Sequence, residues 1–262
     1  MSAVLLNQSI SLVGSGDLGL THHLDAHVYL LSSGDEYALV DSGAGVEMDD
    51  LLANIHGVIG RSGTLRYVLL THCHGDHAGG VARIHSEFPA AVILASEFEA
   101  RLLAEGSEFE LGLTQAKYAG TYPPDYIFRH TPGARAAGHQ EIFELGSLCI
   151  QALHTPGHTK GSVCYLVQGD YPTLFSGDTV FWGGLIQLMN TPGSEMADYR
   201  ASAQLLAALD AEALLPGHGL CALRHARAHL EKMGEYFRRS GPPPMPAKVE
   251  KIVPRAAERK AV

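Results

Sequence analysis

The stretch Thr71-His72-Cys73-His74-Gly75-Asp76-His77 directly follows the apolar run Tyr67-Val68-Leu69-Leu70. It places three histidines and one aspartate within six positions, a density expected where a divalent metal ion gathers imidazole and carboxylate ligands. The first two histidines are two residues apart, so an extended backbone points both to one side. The aspartate and the third histidine follow a glycine, where the chain can turn toward a second point in space. The stretch therefore predicts a metal site with room for two ions.

Three later segments repeat this arrangement, in which an apolar strand ends at a potential ligand. Residues 148–153 lead into His154, residues 173–176 lead through a glycine into Asp178, and residues 213–215 lead through Pro-Gly into His218. Strand ends beside glycine and proline turns are places where a rigid scaffold holds functional side chains. Because these segments are far apart in the sequence, we expect the site to form only in a folded domain.

The motif H-x-H-x-D-H at 72–77, followed by His154, Asp178 and His218, resembles the metallo-β-lactamase superfamily in order and spacing. The resemblance covers roughly residues 25–220. It includes the motifs T-P-G-H-T at 155–159 and L-P-G-H-G at 215–219. It implies an α/β fold, the four-layer αββα metallo-β-lactamase sandwich, with two similar halves and the metal ions at one edge.

The resemblance also implies a ligand set for two divalent ions, with zinc as the first expectation and iron or manganese as alternatives. The first ion would take three histidines: His72, His74 and His154. The second ion would take Asp76, His77 and His218, and Asp178 would bridge both ions. Asp76 and Asp178 are the expected catalytic carboxylates.

Three further residues near these ligands receive supporting roles. His158, the second histidine of T-P-G-H-T, is expected to support its turn rather than bind metal, because seven ligands already fill two sites. Cys73 lies between two ligands and should point away from them by strand alternation, which favours a structural role. The family often has an aspartate at the place of Asp41, where it orders the loops under the metal ions.

The implied activity is that of a dinuclear metal-dependent hydrolase, which uses a metal-bridging hydroxide on a small ester, lactone or thioester. The motifs T-P-G-H-T and G-D-T favour the branch that contains glyoxalase II, other thioesterases and lactonases. Glyoxalase II itself is an alternative, although no basic cluster for the glutathione carboxylates follows His218. A mononuclear iron persulfide dioxygenase, which shares the histidine motifs, is another. A binding protein without turnover is a third interpretation, which the intact ligand set disfavours.

Candidate substrate contacts flank the ligands. Phe181 and Trp182 come shortly after Asp178 and could contact an acyl group or ring, and Lys160 could meet a substrate carboxylate. Aromatic residues and prolines in 118–128 suggest a lid or substrate wall, with ordinary surface packing as the alternative.

Composition limits the partners. The 262 residues are 46% apolar and carry a formal net charge of −9, which disfavours nucleic acid as substrate and favours a small molecule. No stretch approaches the roughly 20 apolar residues of a membrane span, so no membrane partner is expected. The first 20 residues do not resemble a signal peptide, and the four cysteines lack C-x-x-C spacing. These features predict a cytoplasmic protein with reduced thiols, and a homo-oligomer remains open.

The chain order predicts one domain over residues 1–240 and a Pro-rich tail, 241–262, that is extended or disordered or packs on a partner subunit. Hydrophobic periodicity predicts strands at 26–31, 36–40, 67–70, 91–94, 148–153, 163–167, 173–176 and 213–215. It predicts helical segments at 79–88, 96–110, 198–209 and 222–238.

Overall fold

Two mixed sheets form the centre of the molecule in a computed structural model that describes residues 2–239 and 243–245. Within these residues the first sheet has seven strands in chain order: β1 (Val4–Asn7), β2 (Ile10–Gly14), β3 (Val28–Ser33), β4 (Glu36–Val40), β5 (Thr64–Leu69), β6 (Val92–Ala95) and β7 (Arg135–Ala136). The second has five: β8 (Ile142–Leu145), β9 (Leu148–His154), β10 (Val163–Gln168), β11 (Thr173–Gly177) and β12 (Ala213–Pro216), arranged β12-β11-β10-β9-β8. Apart from 243–245, the predicted tail lies outside the described residues.

Helices cover the outer faces of both sheets. Those of the first half are α1 (Asp49–Ile59), α2 (Gly75–Ala78), α3 (Val81–Glu87), α4 (Glu97–Glu105) and α5 (Leu113–Tyr118). Those of the second half are α6 (Met196–Ala207) and α7 (Ala226–Arg238).

Buried apolar residues fall into three clusters, which lie at the three interfaces between layers. One cluster joins the first sheet to α1, α3 and α4, a second lies between the sheets, and a third joins the second sheet to α6 and α7. Side-chain alternation along each strand produces this division: on β10, Tyr165 points between the sheets, whereas Cys164 and Leu166 point to the helices. The four layers confirm the αββα prediction.

The strand directions bring the predicted ligand segments to one edge. β5 runs parallel to β4 and β6, and β11 runs parallel to β12. The strands β5, β11 and β12 are each followed by a candidate ligand. Because parallel neighbours end at the same edge of a sheet, the carboxyl ends of these strands lie at that edge. Backbone hydrogen bonds join the two sheets at this edge, where Val163 N–H donates to Thr71 O (2.8 Å) and His27 N–H donates to Gly217 O (2.7 Å).

The observed elements differ from the predicted ones at several points. The helix predicted at 79–88 begins only at Val81, because the Gly79-Gly80 step packs against the backbone carbonyls of Ala44 and Ser42, and the short helix α2 precedes that step. The helical pattern predicted at 96–110 is helical only over Glu97–Glu105. The helix predicted from residue 222 begins only at Ala226, since Ala222 exchanges backbone hydrogen bonds with Leu214. The strands β1 and β2 and the helix α1 were not predicted.

No helix in the described residues is long and apolar enough to cross a membrane.

Candidate metal centre

Three histidine nitrogens converge at the edge where the strands end. His74 Nδ1 lies 3.0 Å from His72 Nε2 and 3.0 Å from His158 Nε2. Zinc–imidazole bonds of about 2.0–2.1 Å at tetrahedral angles place two ligand nitrogens roughly 3.3 Å apart, close to this spacing. His72, His74 and His158 therefore form a group that fits one ion.

The structure corrects the predicted ligand set at His154. His154 is the last residue of β9 and pairs with Val163 on β10, and its Nε2 lies 2.8 Å from the carbonyl oxygen of Ala137, outside the histidine group. His158, predicted to support the turn, takes its place, since the turn after β9 carries this side chain back over the strand ends. The assignment of His154 to the first ion and of His158 to turn support is therefore wrong.

The hydrogen bond on the far side of the His158 ring sets the direction of its lone pair. Nδ1 lies 2.8 Å from the carbonyl oxygen of Gln187, so Nδ1 carries the proton and donates it. In the neutral imidazole, Nε2 is then an acceptor that points into the histidine group. This is the tautomer that a metal ligand requires.

A second group is formed by Asp76, His77 and His218. Asp76 Oδ2 lies 3.1 Å from His218 Nε2 and 4.0 Å from His77 Nε2. On the other side of the His77 ring, Nδ1 donates to Asp41 Oδ2 at 2.8 Å, so Nε2 is directed toward Asp178. Asp41 also accepts from the backbone N–H of Thr71 at 2.8 Å, so it orders the ligand stretch from below.

Asp178 lies between the two groups, where a bridging ligand is expected. Its Oδ1 is 3.4 Å from His77 Nε2, and its Oδ2 is 3.6 Å from His158 Nε2 and 3.8 Å from His218 Nε2. Both His77 Nε2 and Asp178 Oδ1 are buried without a hydrogen-bond partner. An unsatisfied buried polar atom costs about 1–3 kcal/mol. Burial would lower the pKa of His77, but Asp178, Asp76 and Asp41 raise it well above its usual value, so without a metal ion a proton stands at this point, and a cation would replace it. The residues present therefore fit two divalent ions.

The protonation states suit this role for most of the ligands. Burial lowers the pKa of His72 well below its usual value and that of His74 to about 3, so both imidazoles are neutral. Burial alone would raise the pKa of Asp178, but His218 and His77 lower it, which keeps the carboxylate ionised. Burial would likewise lower the pKa of His218, but Asp178 and other carboxylates raise it to about 9. A metal ion would replace that proton.

Two residues to which the sequence analysis assigned no contact with the ligands support them. The Tyr122 hydroxyl donates to Asp76 Oδ1 at 2.9 Å, so the predicted aromatic segment 118–128 reaches the site. Glu99 accepts from the backbone N–H of Cys73 at 2.9 Å. The pattern Ser96-x-x-Glu99 was visible in the sequence, but it is typical of helix capping rather than of a metal site. Cys73 is buried, in line with its structural role.

The predicted substrate contacts are not brought together in the same way as the ligands. Phe181 is buried and pairs with Leu185 through its backbone, which leaves little of its ring for a substrate. Trp182 is 45% exposed, with its ring centroid 4.2 Å from that of His229. Lys160 Nζ lies 5.6 Å from the ring centroid of Phe98. Substrate contact by Trp182 and Lys160 stays a prediction.

Three relatives match this chain at 27–33% sequence identity. An "Atrochrysone carboxyl ACP thioesterase" of Aspergillus fumigatus is 28% identical over 82% of this chain and 57% of that protein. A "Probable hydroxyacylglutathione hydrolase glo2" of Schizosaccharomyces pombe is 33% identical over 59% of this chain and 48% of that protein. An acyl-coenzyme A thioesterase of Gallus gallus is 27% identical over 74% of this chain and 72% of that protein. The chain thus spans about half the length of the first two.

The fold has solved counterparts. A metallo-β-lactamase of Cronobacter sakazakii with a HARLDQ motif superimposes with a TM-score of 0.70 over 91% of this chain and 92% of that one, at 20% identity. The family model described as the metallo-beta-lactamase superfamily matches residues 23–218, which include both ligand groups. The chain belongs to the metallo-β-lactamase superfamily.

Proposed function

We propose that the protein is a metal-dependent hydrolase that binds two divalent ions and cleaves small thioesters, with esters and lactones as neighbouring substrate classes. The observation that carries the proposal is the pair of unpartnered buried atoms, His77 Nε2 and Asp178 Oδ1, which face each other between the two ligand groups. The thioesterase names of two relatives support the choice of thioesters.

Two complete groups of ligands favour two ions over one. His72, His74 and His158 would hold the first ion, and Asp76, His77 and His218 would hold the second, with Asp178 between them. When bound, such ions lower the pKa of a water molecule and polarise a substrate carbonyl, which together permit hydrolysis at neutral pH. No Ser or Cys nucleophile is then needed. Zinc suits these imidazole and carboxylate ligands, with iron or manganese as alternatives.

The chain itself holds the ligands in their reactive orientation. Asp41 and the carbonyl of Gln187 keep a proton on Nδ1 of His77 and His158, so that each Nε2 is free to bind. For His218 the corresponding neighbour is Asp17, whose Oδ2 lies 3.5 Å from Nδ1. Such supporting contacts typically contribute tenfold to a hundredfold in metal affinity or activity, by order of magnitude about 1–3 kcal/mol.

Asp76 is the carboxylate best placed to move a proton. Its side chain is 22% exposed, against 4% for Asp178, so Asp76 borders the space that a substrate would enter. Asp76 Oδ2 would face the second ion beside His218, so Oδ1, which the Tyr122 hydroxyl orients, is the oxygen left to accept the proton released when water adds to the carbonyl. A thiolate leaving group needs little protonation, since thiols have a pKa of about 8.5. Asp178 would mainly hold the two ions at a constant separation.

The test combines metal analysis with a substrate screen. Purified protein is expected to contain two divalent ions per chain and to hydrolyse acyl-coenzyme A or S-acylglutathione thioesters faster than phosphodiesters or nucleic acids. Removal of metal by a chelator should abolish the activity, and zinc should restore it. If the protein holds two ions but hydrolyses lactones faster than thioesters, the proposal would hold for a two-ion hydrolase of lactones and not of thioesters. Faster cleavage of RNA or DNA than of any ester, lactone or thioester would refute it.

The same preparation distinguishes the iron enzyme. One iron per fully loaded chain, with oxygen uptake that depends on a persulfide, would replace the hydrolase by a mononuclear persulfide dioxygenase. Selective hydrolysis of S-acylglutathione over acyl-coenzyme A would instead identify a glyoxalase II activity. Two bound ions without turnover of any of these substrates would favour a binding protein.

A further inference from the structure

The two loops that supply the first ligand group are joined by one buried carboxylate. Glu99, on α4, is fully buried, and its Oε2 accepts from the backbone N–H of Cys73 at 2.9 Å. Its Oε1 accepts from the hydroxyl of Thr159 at 2.6 Å. Cys73 lies between His72 and His74, and Thr159 directly follows His158, so this carboxylate contacts both loops next to their ligands.

The position of Glu99 in its helix makes these contacts unusual. Ser96 is the N-cap of α4, and its side chain accepts from the Glu99 N–H at 3.3 Å. In the ordinary S-x-x-E capping box, the glutamate returns to the N–H of the capping serine. Here the carboxylate accepts from Cys73, Thr159 and the backbone N–H of Gly161 instead. The side chain is therefore directed away from its own helix and toward the ligand loops.

Burial makes this arrangement costly unless the carboxylate is satisfied. A buried carboxylate without hydrogen bonds is penalised by several kcal/mol or more. Burial does raise the pKa of Glu99, while the hydrogen bonds from Thr159 and Cys73 oppose that rise. None of the ion pairs found in the described residues includes Glu99, so backbone and hydroxyl donors compensate it. An apolar residue would fill the same space at lower cost if packing were the main requirement.

We propose that Glu99 is a positioning residue for the first metal ion, which fixes the separation between the His72–His74 loop and the His158 loop. The proposal rests on the proposed function, because it assumes that these three histidines bind a metal ion. By accepting from the Cys73 N–H, Glu99 sets the direction of the strand end from which two ligands project. Through Thr159 it anchors the turn that brings in the third ligand.

Other contacts also hold this turn: the Thr159 N–H donates to Ser162 Oγ at 3.0 Å, and the Ser202 hydroxyl donates to Pro156 O at 2.6 Å. Thr159 Oγ1 also lies 2.8 Å from Ser162 Oγ, and the Ser96 hydroxyl donates to Gly161 O at 2.7 Å. The start of α4 thus holds the loop at both 159 and 161. Removing the carboxylate also removes its contact with the Gly161 N–H. It leaves the hydrogen bond from Ser96 to Gly161 O but frees the residue adjacent to the ligand His158. The expected effect is therefore local to the first group.

Zinc titration of metal-free protein tests this role without depending on turnover. Competition against a chromophoric zinc indicator should show two sites in the wild type. Glu99→Ala should weaken one of them by about tenfold to a hundredfold, as removal of supporting contacts does elsewhere, and leave the other within about twofold. Glu99→Gln retains an acceptor for Cys73 and a donor for Thr159, so it should restore most of the affinity. Glu97→Ala, on the exposed side of the same helix turn, is the matched control and should bind as the wild type does.

Folding is checked by circular dichroism of each metal-free variant. If Glu99→Ala does not fold, Thr159→Val removes one of the two contacts at nearly constant shape and should weaken the same site by a smaller factor. Wild-type affinity at both sites in Glu99→Ala, or in Thr159→Val where it replaces that variant, would overturn the positioning role. Uptake of no zinc by the wild-type protein would refute the proposed function itself, so the two failures are distinguishable.

Discussion

Replacing His154 and His158 with alanine, one at a time, tests which of the two histidines binds the metal. His158→Ala removes one of the three converging nitrogens, and its ring is only 1% exposed, so water cannot replace it without rearrangement. Since even supporting contacts contribute about tenfold to a hundredfold in metal affinity, loss of a ligand should weaken the first ion by more than about a hundredfold. His158→Ala should therefore purify with one ion per chain and with little activity.

His154→Ala is the matched control, four residues earlier. It removes one hydrogen bond between a histidine ring and the carbonyl of Ala137, at 2.8 Å, in a partly buried position. Such a bond contributes about 1 kcal/mol to the free energy of unfolding. For a domain of roughly this size, that corresponds to a Tm lower by about 2–4 °C. Metal content should stay at the wild-type value.

Plasma emission spectrometry after dialysis measures the metal content, and differential scanning calorimetry of metal-free samples separates stability from binding. The reasoning is refuted if His154→Ala loses an ion while His158→Ala keeps both. Equal metal loss in the two variants would show that the segment acts as a unit and that the geometry at His158 does not decide the ligand.

Three further predictions follow from individual contacts. Tyr122→Phe deletes the hydroxyl that donates to Asp76 Oδ1 and should lower kcat by about tenfold to a hundredfold while circular dichroism is unchanged; an unaltered kcat would show that this contact does not order Asp76. Trp182→Ala should raise KM for bulky acyl or ring substrates without altering metal content, and identical kinetics on every accepted substrate would exclude the half-exposed ring from the substrate path. The metal-free protein should lose up to about 3 kcal/mol of stability between pH 7 and 10. Because the folded-state pKa of His218 is raised to about 9, its contribution is complete below the unfolded pKa of about 6.5 and is lost as pH rises through 9; a flat unfolding free energy over this range would contradict the assignment.

Local sequence pattern was sufficient for the side-chain alternation of β10 and for most of the ligands. Strand alternation divides Tyr165 from Cys164 and Leu166, whereas the sandwich of two sheets covered by helices was implied by the resemblance to the metallo-β-lactamase superfamily. Six candidate ligands, the four in 72–77 with Asp178 and His218, come within a few residues of a strand end, and the structure brings them together. Each lies at a short, fixed distance in sequence from its own strand, which is why the sequence predicts it.

The identity of the seventh ligand depended on a turn whose path is set by distant residues. His154 and His158 are both compatible with the sequence, because one is the last residue of β9 and the other follows four residues later. The choice is made by the pairing of His154 with Val163, which keeps it in the sheet, and by the contact of Thr159 with Glu99. That contact joins residues 60 apart in the chain. The sequence by itself therefore determined that candidate metal ligands gather at the strand ends, whereas only tertiary structure decided which histidine joins them, because hydrogen bonds between distant segments, rather than local spacing, direct the turn.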